Sequence, residues 1–360
     1  MKLRYIFISV LALSCFALQG QDFHNTYWQF SKVEVSPAFT GAFLGNLRVT
    51  GIGRTQGRGV ANGNNANGST SANAFDDLSL AVDGNIPFGL KETDWVSVGL
   101  NISRSTVGAG EFKRNFSGIS LAYHLSLNKD QTKVFTLAGR YGNYSTVLNT
   151  KTNFDDPFGL ANGGAQSLDL QGLNVDDASE KSSGDFMLGL MYTTPVGDNA
   201  DLRFGVAADH LLRPRLSNPV TDTMMGVARI NQNLERRFNA FAQYFVSVSD
   251  RLVVNPTILY MTTDNASVLL LQGVFSYLVN PEKDFILNAG IGARLNDNLD
   301  FPIFLGADIK DWKFGLSYDT NVVGLTQANR TFGAIELGAT RLISWNKKAE
   351  PEPKYVCPRL

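Results

Sequence analysis

After its first twenty residues, the 360-residue chain has no run close to the roughly 20 apolar residues that a membrane helix requires. The longest apolar stretches, such as SVLLLQGVF, are broken by Gln and Gly. A helical membrane protein is therefore excluded. Cysteine is nearly missing: Cys15 falls within the first twenty residues and Cys357 in the tail YVCPRL, so no internal disulfide holds the fold. Histidine occurs three times, at His24, His124 and His210. Neither sign of charge dominates, with 32 Lys+Arg against 33 Asp+Glu and no basic block, which argues against nucleic acid as a partner.

At the start there is a leader. Met1, Lys2 and Arg4 give a positive opening, Tyr5 to Leu18 a short apolar stretch, and small or polar residues lead to Gln21. This pattern predicts a secretory signal cut near Gly20. A lipoprotein signal at Cys15 in ALSC is the other reading, but the apolar run continues past the cysteine.

Beyond the leader, alternation dominates. In DWVSVGLNIS, Val96, Val98, Leu100 and Ile102 alternate with Ser97, Gly99, Asn101 and Ser103, a period of two that marks a strand. FSGISLAYHLSL, DFMLGLMYTT and DWKFGLSYDT repeat the pattern, and almost nothing reads as an amphipathic helix. Fourteen such segments are expected, near 47–53, 76–85, 93–103, 116–127, 132–144, 185–194, 200–210, 235–248, 251–261, 265–277, 284–294, 301–309, 312–319 and 331–344. Many are long enough to cross a bilayer as tilted strands.

The connections add an independent signal. Those after even-numbered segments are tight, as in NKDQ at 128–131, VGDN at 196–199, Ser249-Asp250 and Lys310-Asp311. Several after odd-numbered segments are long and polar: 54–75, 104–115, 145–184, 211–234 and 320–330. Short turns at one end and long loops at the other are the arrangement of an outer-membrane barrel. Closure also removes the sheet edges that hydrocarbon does not tolerate. The expected architecture is all-β: a single closed antiparallel transmembrane barrel of about fourteen strands, with long extracellular loops and short periplasmic turns. Its divisions are a signal peptide at 1–20, an N-terminal periplasmic or lumenal segment at 21–46, the barrel at 47–345 and a periplasmic tail at 346–360. Trp95, Tyr192, Trp312, Tyr318 and Trp345 lie near segment ends and are assigned to the interfacial aromatic girdle.

Signals for chemistry are thin. His124 and Ser126 stand two apart on one face, the spacing an outer-membrane phospholipase uses, but their face should be the lumen and not lipid. His24 and His210 have no nearby cluster. Asp155, Asp156, Asp176, Asp177, Glu180 and Asp185 make the 145–184 loop acidic without the ligand spacing of a calcium loop. GNNANG lacks the Lys-Ser/Thr of a phosphate cradle. Arg236-Arg237 would line a constriction but has no matched acidic partner. The expectation is a non-enzymatic protein without cofactor or metal, and Cys357 is an unassigned thiol.

Before the first strand comes WQFSKVEVSPAFTGAF, rigid at Pro37 and permissive at Gly41, suited to tuck into the lumen or brace the wall. The order QDFHNTYWQF, SPAFTGAF, then LRVTGIGR resembles the mature start of PorP/SprF-type outer-membrane proteins of the type IX secretion system. The matching positions are Ser36, Pro37, Ala38, Phe39, Thr40 and Gly41, followed by the spaced arginines Arg48 and Arg54. Ser36 replaces the usual Asn, and Gly57 stands where the family commonly has Trp. The resemblance implies an integral outer-membrane barrel that helps a large secreted surface protein, often an adhesin, cross or attach through its C-terminal signal domain. Other type IX components and outer-membrane lipid would be its further partners. The rival reading is an outer-membrane channel, either a porin or a hydrophobic-compound transporter plugged by its N-terminal segment.

Overall fold

The structure, a computed structural model, describes residues 25–56, 75–86, 89–107, 112–147, 181–215, 233–296, 299–321 and 333–345. The leader, most of the first long loop, the acidic stretch 148–180 and the tail with Cys357 lie outside these residues, as does His24.

Fourteen strands form one closed antiparallel ring. They are β1 (Leu47–Gln56), β2 (Phe75–Ile86), β3 (Trp95–Val107), β4 (Phe112–Ser126), β5 (Val134–Val147), β6 (Lys181–Pro195) and β7 (Ala200–Asp209), followed by β8 (Arg237–Ser249), β9 (Leu252–Thr262), β10 (Ser267–Asn280), β11 (Phe285–Leu295), β12 (Leu299–Ile309), β13 (Trp312–Asn321) and β14 (Ala334–Ile343). Each pairs with its sequence neighbours, and β1 closes on β14 in unbroken register from Leu47↔Ile343 to Gln56↔Ala334. No strand is left with a free edge, which is the condition for a sheet in hydrocarbon.

The alternation sets the two faces. Outward positions expose Val98, Leu100 and Ile102 on β3, Ile119 and Leu121 on β4, and Phe314 and Leu316 on β13. Inward positions bury Ser97 and Asn101, Ser120 and His124, and Ser317 and Asp319 on the same strands. This is the inverse of a soluble barrel, where the apolar face would fill the interior. Strands of 10 to 15 residues suffice for a tilted crossing.

Several strands run further toward the long-connection end than the alternation alone indicates. β6 starts at Lys181, and β3 and β4 extend to Val107 and Phe112, so most of the expected loop at 104–115 is strand. Polar residues continue there on both faces, as in RSTV and FKRN, so ladder hydrogen bonds persist where the hydrophobic pattern has faded. Asp185, counted with the acidic loop although it opens the expected segment at 185–194, is a buried β6 residue. At the other end the turns are tight. Lys310 and Asp311 alone join β12 to β13, with Lys310 at φ 54°.

Candidate functional site

The segment ahead of β1 lies inside the ring. It is built of two 3-10 turns, Trp28–Phe30 and Pro37–Phe39, flanking a one-turn helix α1 (Lys32–Val35). Ser36 starts the second turn: its Oγ accepts from Ala38 N at 3.2 Å, and Pro37 supplies a preset φ at the first position. Gly41 ends it at φ +69°, and a Cβ there would fall 1.9 Å from Ser97 Oγ, so the chain can turn toward the wall only at glycine. Trp28, Val35, Ala38 and Phe39 form an apolar cluster with Ala122, Ala138, Met191, Phe241, Leu259 and Leu270 of the wall. Phe39 and Phe241 approach to 4.6 Å between ring centroids.

A plug of irregular backbone in a lumen needs partners for its amides and carbonyls. The inward side chains supply them. Arg48 grips Asp83 with two parallel bonds, Nε to Oδ1 at 2.9 Å and Nη2 to Oδ2 at 2.7 Å, and also donates to Phe39 O at 2.8 Å. The same Asp83 accepts from Gly41 N at 2.7 Å. His124 Nε2 donates to Thr40 O at 2.9 Å, and Thr40 Oγ1 bonds Ser120 Oγ at 2.9 Å. In the middle, Arg140 reaches Val33 O at 3.3 Å and Asn239 reaches Val35 O at 2.7 Å.

At the plug's other end, Glu336 accepts from Thr26 N at 2.7 Å and Tyr27 N at 2.6 Å. Arg54 pairs with Glu336 and donates to Thr26 Oγ1 at 2.9 Å, with Asp319 3.3 Å away. Arg294 joins Asp319 at 2.8 Å and Asp300 at 3.0 Å, and Gln272 donates to Thr26 O at 2.7 Å. The motif residues thus fall into two latches, one at Phe39–Gly41 around Arg48 and one at Thr26–Tyr27 around Arg54. The partners Asp83, Gln272, Arg294, Asp319 and Glu336 carry no motif. Their signal in the sequence is a polar or charged side chain at the inward parity of a strand whose other face is apolar.

Other inward side chains correct the sequence reading. Trp95 is not in the girdle: it shares parity with Ser97 and stacks on His124 inside the barrel, with centroids 4.6 Å apart. Trp312 is exposed on the outer face, as expected. His124 and Ser126 both face inward, but Ser126 Oγ bonds Asn128 O and His124 Nδ1 meets Thr136 Oγ1 at 2.9 Å, so the ring engages other partners. His210 does have a cluster, with Nδ1 2.6 Å from Asp185 Oδ2 and Asp209 beside it. Arg237 has its acid as well: Nη2 lies 2.6 Å from Asp209, which Arg140 also approaches at 3.3 Å. These pairs join residues far apart in the chain through the register of β5 to β8, which no local spacing reveals.

Three plug side chains carry displaced pKa values, and burial raises that of the Tyr27 phenol. Burial pushes the Glu34 carboxyl up to about 7, against the lowering effect of its Ser79 hydrogen bond and then of Arg140. Burial also holds Lys32 well below the ordinary lysine range, reinforced by Arg203 and Arg48. For Glu34 the sign is that of an acid that the folded state keeps protonated. Its contribution is full below the ordinary value of 4.5 and lost as pH rises through about 7. The temperature at which the barrel loses its folded gel mobility should therefore fall between those pH values, and Glu34→Gln should flatten that slope. An equal slope in both proteins would refute the assignment.

A ring of fourteen amphipathic strands, apolar outside and filled inside by its own N-terminal segment, defines an outer-membrane β-barrel. Residues 17–338 match the family model described as type IX secretion system membrane protein PorP/SprF, and the chain belongs to that family. Membership implies association with secretion components. No curated protein matches the sequence. Among solved structures, the chain is similar to the CymD monoaromatic hydrocarbon channel, at 10% identity over 91% of this chain and 95% of that one, TM-score 0.48. It is also similar to the Ralstonia pickettii toluene transporter TbuX, at 9% identity over 85% and 90%, TM-score 0.45. A Pseudomonas aeruginosa FadL homologue matches at 11% identity over 85% and 92%, TM-score 0.45. Likenesses of this degree say nothing of what the present chain does.

Proposed function

We propose that the protein, after loss of residues 1–20, acts in the outer membrane as a non-enzymatic barrel that assists type IX export or surface anchoring of a large adhesin-like protein. It meets that protein through the partner's C-terminal signal domain. The observation that carries this reading beyond family membership is the latched plug. Its polar atoms are tied to side chains of nine strands, β1, β2, β4, β5, β8, β10, β11, β13 and β14, so the interior is built to stay filled. An open porin gains nothing from such an arrangement, and a plugged transporter would have to break these ties in every cycle, whereas a rigid scaffold that presents loops to a macromolecule keeps them. On this reading Ser36, Pro37, Ala38, Phe39, Thr40, Gly41, Arg48 and Arg54 are structural and bind no ligand.

The test is affinity purification of a tagged chain from cell envelopes. A very large secreted polypeptide should co-purify and be lost when its C-terminal signal domain is removed. Absence of any such partner, together with a steady pore formed by the purified protein in a planar bilayer, would replace this reading with the channel.

A further inference from the structure

Beside the plug, the lumen holds a cavity of about 100 Å³. Arg48, Asp308, Lys313 and Leu342 line it, each within two residues of a strand end at the short-turn side. The Asp308 and Lys313 side chains are 12% and 16% exposed, so the cavity is reached from that side. Lys32 also lines it and is only 7% exposed. Its ammonium lies over the Phe39 ring, 5.9 Å from the centroid, and has no hydrogen-bond or carboxylate partner among the described residues.

The acids nearby are already engaged. Asp83 is held by Arg48, Asp308 by Lys313 at 3.6 Å and by Asn288, and Glu34 bonds Ser79. The charges acting on Lys32 are mostly cations, Arg203, Arg48 and Lys313, against Asp83 alone. A buried amine with no acceptor sheds its proton in preference to holding an unpaired charge, and an anion beside it reverses that balance. Phe30, Val33 and Val274 supply apolar wall.

We infer that this cavity binds a short monocarboxylate, with the carboxylate on Lys32 Nζ. The volume suits about four non-hydrogen atoms, being smaller than a cavity that holds the six of benzene. Binding would restore the proton on Lys32 that burial disfavours. Affinity therefore falls as pH rises, by up to about tenfold per unit where the unliganded amine is neutral.

The experiment titrates sodium acetate, with sodium chloride as the control anion, into the full-length protein in detergent micelles by calorimetry. Fold is checked by heat-modifiable gel mobility. Wild type should bind acetate saturably and more tightly than chloride, and Lys32→Met should weaken acetate binding by at least about tenfold. Equal binding by Lys32→Met, or no saturable binding by folded wild type, would overturn the inference and leave water as the occupant. If the variant does not fold, the wild-type pH series decides: affinity that falls with rising pH supports the site, and affinity independent of pH overturns it.

Discussion

Replacing Arg54 by methionine is expected to destabilise the folded protein by about 3–5 kcal/mol, the usual cost of breaking one partner out of a buried ion pair. Arg54 and Glu336 are 6% and 0% exposed, so neither charge can turn to solvent. Without the guanidinium, Glu336 keeps only the Thr26 and Tyr27 amides and the Ser317 hydroxyl, and Asp319 is left to Arg294 and Thr26. Burying an uncompensated carboxylate costs more than those hydrogen bonds return. The plug should loosen at Thr26–Tyr27 while the Arg48 latch holds, exposing the first 3-10 turn to protease. The check is the heat-modifiability midpoint together with the cleavage pattern. Adding Glu336→Leu to Arg54→Met should recover part of the loss by removing the orphaned charge, a coupling that a double-mutant cycle measures. A fully additive double variant would mean that the pair is not what holds that end.

The parts of this molecule that repeat with period two were legible in the sequence. All fourteen segments are strands, in the expected order and closed into one ring, because the hydrophobic pattern on a lipid-facing barrel is read directly as a face. What the pattern misplaces are ends. Lys181 to Gly184 and Phe112 to Asn115 are strand although polar on both faces, since register with the neighbouring strand and not burial holds them there. The Ser-Pro-Ala-Phe-Thr-Gly turn was legible as local chemistry, a cap, a fixed φ and a left-handed glycine. Its depth in the lumen was not, because that depends on Asp83, His124 and Glu336, which lie 42 to 310 residues from the plug atoms they bind. Trp95 illustrates a cue that was present and unused: one position before Val96, it must face opposite to the lipid side.

Deleting residues 25–43 should turn a silent barrel into a conducting one. The ring itself does not depend on the plug for its backbone hydrogen bonds. β1 pairs with β2 and β14 along its whole length, and every other strand pairs with its neighbours, so the deletion leaves no strand edge open to lipid. The cost falls on the interior. Phe241, Leu259 and Leu270 would lose the cover of Trp28 and Phe39 and meet water, at about 25 cal/mol per Å² newly exposed. The charged wall responds in the opposite sense. Arg48 with Asp83, Arg54 with Glu336 and Arg294 with Asp300 would gain the hydration that burial denies them, so water entry is favoured along both latches. Steady current in a planar bilayer from the shortened chain, and none from wild type, is the expected pair of results. A silent shortened chain would place the barrier in the long connections at the opposite end. A wild type that already conducts would mean that the plug leaves the filled position unaided, and the latches described above would then be too weak for a scaffold.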